Sequence, residues 1–575
     1  MYEMKDMKKN NKKIRRFVVL ILVALLALFA LISRLTGRGA ATAQEEPPAI
    51  ALTEEELWEI RNANWREDIT FVRQNFTHPL LGGGGHTWIL DIQHYHYWYV
   101  LAPFGGGEVF GIWETQPRPG QIGDQVHRQR LSGWPRSANL FDMQLFNEFL
   151  ANLDTLHDQV PYLTDFEIVM GLWRAIAPTN DCHMSIAAPG IFVRTNNPNL
   201  LTGLYLLPFA PGIVFHFEEH YSETAYPFPW PHIRSITTDF EDLINTRVLA
   251  INGVDVEEIF NRMRPIFPHE NEVWLRTNPG YAAAWSNRDF LNYINVINYP
   301  EAESVSVTLQ DVNGNVFTAE LPFILWHNEL ERTTHQNDHE LMLFRARPTE
   351  NYWFKHFPDE NLMYLRLARN REMPGPVPAP GFPEEVNTRS TTYVIRQMLD
   401  KIEGRLEAEV FIDEYGFESQ RLVERRGVDT FVLDLRYNPG GVTLDGFREF
   451  VHWAQTPANR RLLGSFYIVI NHFTYSKGVE YAYTFREFID DVVIIGSPTG
   501  GALNFFGGDG SVGITLPNSR ITFSQPGSFF NLDPNQTSPT NTLYPDIFVH
   551  RTLQDYVNNH DAVMALIRQR AMERD

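Results

Sequence analysis

Apolar positions along the chain repeat with two periods, and the change between them divides it. Residues 53–76, TEEELWEIRNANWREDITFVRQNF, begin acidic and place apolar side chains three and four apart, which predicts helix. Residues 139–176 read the same way, with Phe141, Leu145, Phe149 and Leu153 along one stripe. Between these helical regions, 81–134 is glycine-flanked, aromatic and strand-like. From 190 to 323 the apolar runs shorten to strand length and predict mostly short strands. Within that region RVLAINGVDVEEIFNRM (247–263) predicts a strand, an Asn-Gly turn and an amphipathic helix. SVSVTLQDVNGNVFTAELPF (304–323) predicts a hairpin around Asn313-Gly314-Asn315. Residues 351–367 open a last region that continues through a Pro/Gly-rich loop (371–385), a helix (390–402) and a closing helix (555–570).

Two runs in the last region stand out. FVLDLRYNPGGV (431–442) and IVINHFTYSKGVE (468–480) each begin as a β-branched stretch of strand length. The first stops at Asn438-Pro439-Gly440-Gly441 and the second at Asn471-His472-Phe473-Thr474, as buried strands do when they run into a turn. After the second turn, Ser476 opens a segment with Tyr481, Phe485 and Phe488 at helical spacing. A serine hydroxyl is thereby set on a strand–turn–helix corner, and the double glycine of the neighbouring strand end can bring bare backbone N–H groups towards it. A nucleophilic serine needs both parts: an exposed hydroxyl and fixed amides where negative charge develops. A turn serine that only caps its helix is the competing reading.

With 575 residues, the chain exceeds what a single hydrophobic core usually holds, so two to four domains are expected. Its 43% hydrophobic and 13% aromatic content excludes a disordered protein and points to large buried rings or an aromatic-lined groove. The formal charge is −21, yet residues 1–16 carry +5, which leaves the remainder near −26. Such an acidic body repels phosphates, and no nucleic-acid partner is expected. Cys182 is the only cysteine, so neither an intramolecular disulfide nor a thiolate metal cluster can form. His86, His94 and His96 raise a metal hypothesis, but no acid or fourth ligand accompanies them. An aromatic β insertion is the preferred reading of 81–134, with a glycan- or peptide-contacting lip as another. No metal and no cofactor are expected.

Residues 8–16 are basic, and 17–32, FVVLILVALLALFALI, contain no polar side chain. With Ser33, Arg34 and Leu35 the run reaches the ~20 residues that a bilayer requires. Positive charge before the span predicts a cytoplasmic N-terminus and an extracytoplasmic body. Ala41-Thr42-Ala43 offers a signal-peptide cleavage site, but it lies beyond Arg34 and Arg38, and an uncleaved anchor is preferred.

DLRYNPGG, TYSKGVE, VVIIGSPTGGALNFFG, ITLPNSRITF and YPDIFV, in this order, resemble the core blocks of the C-terminal processing (tail-specific) serine peptidases, a superfamily that includes the tricorn protease core. The resemblance covers roughly 351–575. It implies an α/β fold with a ClpP/crotonase-like catalytic core, an N-terminal helical cap and a PDZ-like β-rich insert. The implied division is a cytoplasmic basic tail (1–16), a membrane anchor or signal (17–35), a linker (36–52), the cap with its aromatic insert (53–190), the PDZ-like domain (191–325) and the catalytic domain (326–575). It further implies hydrolysis of peptides or unfolded proteins through an acyl-enzyme on Ser476, with the backbone N–H groups of Gly441 and Lys477 holding the oxyanion. The Asp-x-His element at 181–183 matches the position where tricorn-like members place a histidine base, which assigns that role to His183.

The chain departs from the family around the base, and also in carrying Cys182 where the tricorn branch places a serine and Glu480 four rather than three residues after Ser476. Many tail-specific peptidases carry a lysine base in the turn that corresponds here to Ser497-Pro498-Thr499-Gly500-Gly501, which has none. The tricorn branch also orients its histidine with a glutamate shortly before a Pro-Asp pair; upstream of Pro545-Asp546 this chain has none, leaving Asp181 or Asp533 as substitutes. A Ser–His site is therefore expected rather than Ser–Lys. The alternative is a catalytically inactive peptide- or ligand-binding protein on the same fold. Arg436, Asn438 and Asn518 are expected to hold turns, and Asn504 to line the site.

Overall fold

The computed structural model describes residues 53–77, 143–180, 182–183, 185–187, 209–210, 214–218, 230–278, 281, 284–285, 287–298, 302–325, 332–334, 342–373, 390–412, 418–425, 427–507, 512–525, 528–533, 537–538, 540–549 and 551–573. The apolar run 17–35, the insert 81–134 with its three histidines, and Asp181 lie outside the described residues. The chain divides into two units, Met1–Trp58 and Glu59–Asp575. Of the first, the described residues are only the start of helix α1 (Glu54–Thr77).

α1 is followed by α2 (Met143–Gln159) and α3 (Asp165–Ile176). Thr164 starts α3 with a reciprocal capping box to Glu167, which satisfies two N-terminal donors. Arg61 of α1 bonds Asp165 Oδ1 at 2.9 Å and the Val160 carbonyl at 2.9 Å, while Trp65 donates to the same carboxylate at 2.7 Å. Leu153, Leu156, Ile168, Val169 and Leu172 are buried between these helices. After α3 the chain turns through Asn180 at φ +49°, passes Cys182-His183, and enters strand β1 (Ser185–Ala187).

The middle region builds an antiparallel sheet from β2 (Trp230–Thr237), β3 (Arg247–Ile251), β4 (Ser304–Gln310) and β5 (Val316–Pro322), with Arg332–Thr334 outside β2. The Asn252-Gly253 turn leads into α4 (Val256–Met263), whose Val256, Ile259, Phe260 and Met263 are buried, as the amphipathic pattern requires. Two further helices, α5 (Glu272–Thr277) and α6 (Arg288–Tyr293), correct the expectation of mostly strands. Each has six residues, too short for a 3.6-residue period to show, and each is started by an asparagine: Asn271 Oδ1 accepts from Trp274 N at 2.9 Å and Asn287 Oδ1 from Phe290 N at 2.8 Å.

The last region is an α/β layer: β6 (Tyr352–Phe357), β7 (Leu362–Leu367), α7 (Thr391–Glu403), β8 (Thr430–Asp434), α8 (Asp445–Ala454), β9 (Ser465–Ile470), α9 (Lys477–Phe488), β10 (Val492–Gly496), hairpin β11 (Val512–Thr515) and β12 (Thr522–Gln525), β13 (Ile547–Phe548), α10 (Leu553–Val557) and α11 (Ala562–Met572). The main sheet has the order β6-β7-β8-β9-β10-β13; β7, β8, β9, β10 and β13 run parallel, and β6 is antiparallel to β7. Phe431, Leu433, Phe466, Ile468 and Ile470 pack on one face with α7, α8 and α9. Val432, Tyr467 and Val469 pack on the other with Val563, Met564 and Ile567 of α11. A sheet covered on both faces reads as continuous apolar runs, which is why these strands lack alternation in the sequence. The expected single closing helix is two, because the chain breaks after Val557 and restarts on an Asp561 cap.

The hairpin β11–β12 ties the first helices to the last region. β12 pairs with β1, bringing Ile186 opposite Phe523. At its tip, Asn518 N and Ser519 N each donate to the buried Asp68 carboxylate of α1 at 2.8 Å. Asn518 thus bridges to α1 rather than closing only its own turn.

Where β8 ends, Asp434 accepts from Tyr364 Oη at 2.8 Å and from Arg436 Nη2 at 2.5 Å. Arg436 turns its other face to Asp561, with bonds of 2.9 and 3.0 Å. Burial pushes the Asp434 carboxyl up, but the charges of Arg436 and Arg366 more than offset it and hold it below the usual carboxylate range. This pair fixes the exit of β8 towards Gly440. Asp561→Asn keeps the cap on α11 and loses the charge, whereas Asp561→Ala loses both. The melting temperature should fall in that order, by about 5 °C or more for alanine, since breaking a buried pair costs about 3–5 kcal/mol and losing a cap about 1 kcal/mol. Calorimetry reads it directly.

Candidate active site

β9 ends at Ile470, and the following turn is built to hold one residue in a strained conformation. Thr474 Oγ1 donates to the Leu435 carbonyl at 3.0 Å, and Tyr475 N donates to the Asn438 carbonyl at 2.9 Å. Ser476 then sits at φ +51°, ψ −122°, a region that residues with a Cβ rarely occupy, and α9 begins at the next residue. Two glycines permit it. A Cβ on Gly440 would lie 2.7 Å from Ser476 Cβ, and one on Gly501 would lie 2.8 Å from Tyr475 Cα. The corner is therefore gripped from both sides by bare backbone.

Asn438 shapes the glycine turn. Its Oδ1 accepts from Gly440 N at 2.8 Å, and its Nδ2 donates to Asn370 Oδ1 at 2.7 Å and the Leu367 carbonyl at 3.1 Å. Val442 N in turn donates to the Asn370 carbonyl at 2.7 Å. Among the described residues, no hydrogen bond engages the N–H groups of Gly441 or Lys477. The side chain of Lys477 is committed elsewhere: Nζ donates to Glu480 Oε2 at 2.6 Å and lies 5.1 Å over the Phe530 ring.

Across from the corner, His183 Nε2 lies 3.2 Å from Ser476 Oγ, although the two residues are 293 positions apart. Its Nδ1 is 3.2 Å from Glu270 Oε1 and 3.2 Å from the Tyr475 hydroxyl. A carboxylate can only accept, so Nδ1 carries the proton and Nε2 is left to accept from the serine hydroxyl. The Glu270 side chain is 1% exposed, and its charge is met on both oxygens: Oε1 accepts from Tyr475 Oη at 2.5 Å and Oε2 from Ala502 N at 3.0 Å. The imidazole stacks with the rings of Tyr475 and Phe505, at 5.0 and 5.6 Å. An alcohol, an imidazole and a buried carboxylate in line can move a proton off the alcohol and back onto a leaving group.

Of the residues singled out from the sequence, Ser476 and His183 meet, and Gly441 and Lys477 stand on the two segments that flank the corner. The acid behind the histidine was missed. Glu270 lies in the loop between α4 and α5, just before the Asn271 cap, and nothing in PIFPHENEVW signals more than a helix start. The carboxylate beside the imidazole does not come from the segment upstream of Pro545-Asp546. There Asp533 closes a turn, accepting from Thr537 Oγ1 at 3.0 Å and Ser538 N at 2.9 Å. The side chain of Asn504 is hydrogen-bonded to the backbone of Asp533, and its own backbone carbonyl accepts from Asn541 Nδ2. Among the described residues, no group of three His, Cys, Asp or Glu side chains is arranged to hold a metal ion.

No family model matches the chain, and no curated protein matches it. Among solved structures, it is similar to mature CPAF complexed with lactacystin at 10% identity and a TM-score of 0.42, covering 89% of this chain and 98% of that one. It is similar to mature CPAF at 10% identity and a TM-score of 0.39, covering 87% and 95% of the respective chains. It is also similar to the tricorn protease at 10% identity and a TM-score of 0.33, covering 79% of this chain and 36% of that one.

The contact between Gly440 and Ser476 yields a direct expectation. Gly440→Ala forces its Cβ into the serine, so the corner shifts by several tenths of an ångström and the Ser476–His183 geometry is lost. Reactivity of Ser476 with a fluorophosphonate should fall about 100-fold or more, the scale of losing one fixed contribution at an acyl-transfer site. Gly314→Ala, at an open turn far from the serine, should leave that rate unchanged.

Proposed function

We propose that this chain is a serine endopeptidase that hydrolyses peptide bonds through an acyl-enzyme, with Ser476 as nucleophile, His183 as base and Glu270 orienting the imidazole. The observation that carries the reading is the 3.2 Å separation of His183 Nε2 and Ser476 Oγ, backed by a buried carboxylate on the other ring nitrogen. Peptide as substrate rests on the ordered sequence blocks shared with tail-specific peptidases.

In this reading His183 takes the hydroxyl proton as Ser476 Oγ attacks the scissile carbonyl. The charge that develops on the carbonyl oxygen is met by the N–H groups of Gly441 and Lys477, the latter at the positive end of the α9 dipole; one such donor contributes about 3–4 kcal/mol in comparable sites. The imidazolium, steadied by Glu270, then protonates the leaving amine. Water, deprotonated by the same imidazole, releases the acyl group and restores the serine. The cap supplies the base, the middle region the acid and the α/β layer the nucleophile, so cleavage requires all three to be docked. The middle region is read as a PDZ-like module, and the catalytic layer as a ClpP/crotonase-like core.

The run 17–35 anchors the chain in the membrane with its body outside the cytoplasm, on the strength of its length, apolarity and preceding positive charge. Full-length protein should stay with membranes through alkaline carbonate washing and lose that association when 1–52 are deleted; recovery of the full chain in the soluble fraction would end this part of the proposal.

The site itself is tested with a fluorophosphonate and an unfolded protein substrate. Wild type should label at Ser476 and degrade the substrate, and Ser476→Ala and His183→Ala should do neither. Glu270→Gln, which offers the imidazole a partner of the wrong kind, should lower the rate about 10³- to 10⁴-fold while leaving the fold intact. Unlabelled wild-type protein that still binds peptides would favour the inactive binding protein instead.

A further inference from the structure

We infer that Tyr475 is a positioning residue of this site: its hydroxyl bridges Glu270 and His183 and sets how strongly the carboxylate pulls on the imidazole. The inference rests on the hydrolase reading of Ser476 and deepens it. Three polar atoms form a closed triangle. Tyr475 Oη is 2.5 Å from Glu270 Oε1 and 3.2 Å from His183 Nδ1, and those two atoms are 3.2 Å apart.

The proton count of the triangle is fixed by chemistry. Glu270 donates nothing, so the phenolic proton goes to Glu270 Oε1, its shorter contact. The Nδ1 proton of His183 is then shared between that oxygen and the phenolic oxygen, which accepts it. The hydroxyl thus takes part of the carboxylate's hydrogen-bonding capacity and lends the imidazole a second, neutral acceptor. The ring is as constrained as the hydroxyl: Trp274 stacks on it at 4.2 Å with a 14° tilt, and His183 stacks at 5.0 Å. Because Tyr475 directly precedes Ser476, one residue joins the nucleophile's corner to the acid and the base.

Other titratable groups nearby are engaged away from the triangle. Cys182 Sγ donates to the Pro268 carbonyl at 3.0 Å, the Tyr281 hydroxyl donates to the same carbonyl, and His269 Nδ1 donates to the Phe267 carbonyl at 2.9 Å. Burial lowers the His269 pKa. Lys477 and Glu480 pair with each other, and Lys477 reaches Phe530, whose ring stacks on Phe505 at 4.9 Å and so stands two rings from His183.

Removing the hydroxyl has a signed consequence. In Tyr475→Phe the carboxylate oxygen is left to the imidazole N–H alone, its attraction for the imidazolium rises, and the base holds its proton to higher pH. The test is the rate of fluorophosphonate reaction at Ser476 in the full-length protein between pH 5 and 9. The acid limb of the profile should move up by about half a pH unit or more, and the plateau should fall about 10-fold as the ring loses its tether. Phenylalanine keeps both ring stacks. A second variant guards against a folding defect: 3-fluorotyrosine at 475, a stronger donor of nearly the same size, should move the limb the other way. Profiles that superimpose on wild type, or a plateau that falls with the limb unmoved in both variants, overturn the inference. Wild-type protein that fails to react at any pH overturns the hydrolase reading, and this one with it; a reactive wild type with unmoved limbs overturns this one alone.

Discussion

Everything distinctive about this molecule depends on holding Ser476 in a conformation that its own Cβ disfavours. A residue at φ +51° and ψ −122° costs of order 1–3 kcal/mol and persists only where its surroundings over-determine it. Here the surroundings are two glycine turns, an asparagine that ties one of them to a neighbouring strand end, and the start of α9. The strain is offset by a sheet buried on both faces, whose parallel strands end together at this edge. Ligand chemistry at the carboxyl ends of parallel strands is a general property of open α/β sheets, and the corner stands where that geometry puts it.

The same constraint explains which regions must meet. In the proposed site a strained serine is useless without a base, and the imidazole assigned that role comes from the loop after α3. Its position is not set locally: β1, two residues on, is a rung of the β11–β12 hairpin, and that hairpin is pinned at its tip by Asp68 of α1. The acid comes from a third place, the loop before α5, and is tied to the α/β layer through Ala502 N. Each member of the site is thus positioned by a contact to a different region. A distortion in any of the three regions is felt as a change of a few tenths of an ångström at one hydrogen bond, where effects on rate are large.

This distribution also accounts for what was readable in the sequence. Ser476 was legible because its signal is local: two apolar runs, two breaks and a helix start within fifty residues. The buried sheet was legible for the same reason, since Phe431–Asp434 and Ser465–Ile470 cannot be mistaken for surface. His183 needed a family resemblance, because nothing around a loop histidine marks its chemistry. Glu270 was invisible. Its partners are a histidine 87 residues upstream, a tyrosine hydroxyl 205 residues downstream and a backbone amide 232 residues downstream, and a single acid before a helix cap is ordinary. The helices α5 and α6 escaped because six residues cannot display a period. What local pattern encodes can be read directly; what long-range docking supplies cannot.

The absence of a lysine at Ser497–Gly501 then takes on a different meaning. A lysine base must be kept neutral to accept a proton, which requires a desolvated amine with no carboxylate partner. The lysine nearest the serine in this chain has the opposite environment, with Nζ 2.6 Å from Glu480 in a pair whose side chains are 6% and 1% exposed. It can serve the site only through its backbone, as the first amide of α9. The imidazole has the environment a base requires: a buried acceptor behind it, two stacked rings and a hydroxyl in front. The two arrangements exclude each other at one serine, because a carboxylate placed to steady an imidazolium would equally hold a nearby ammonium charged. With Glu270 behind His183, the proposed Ser–His arrangement is the one that the surrounding charges favour.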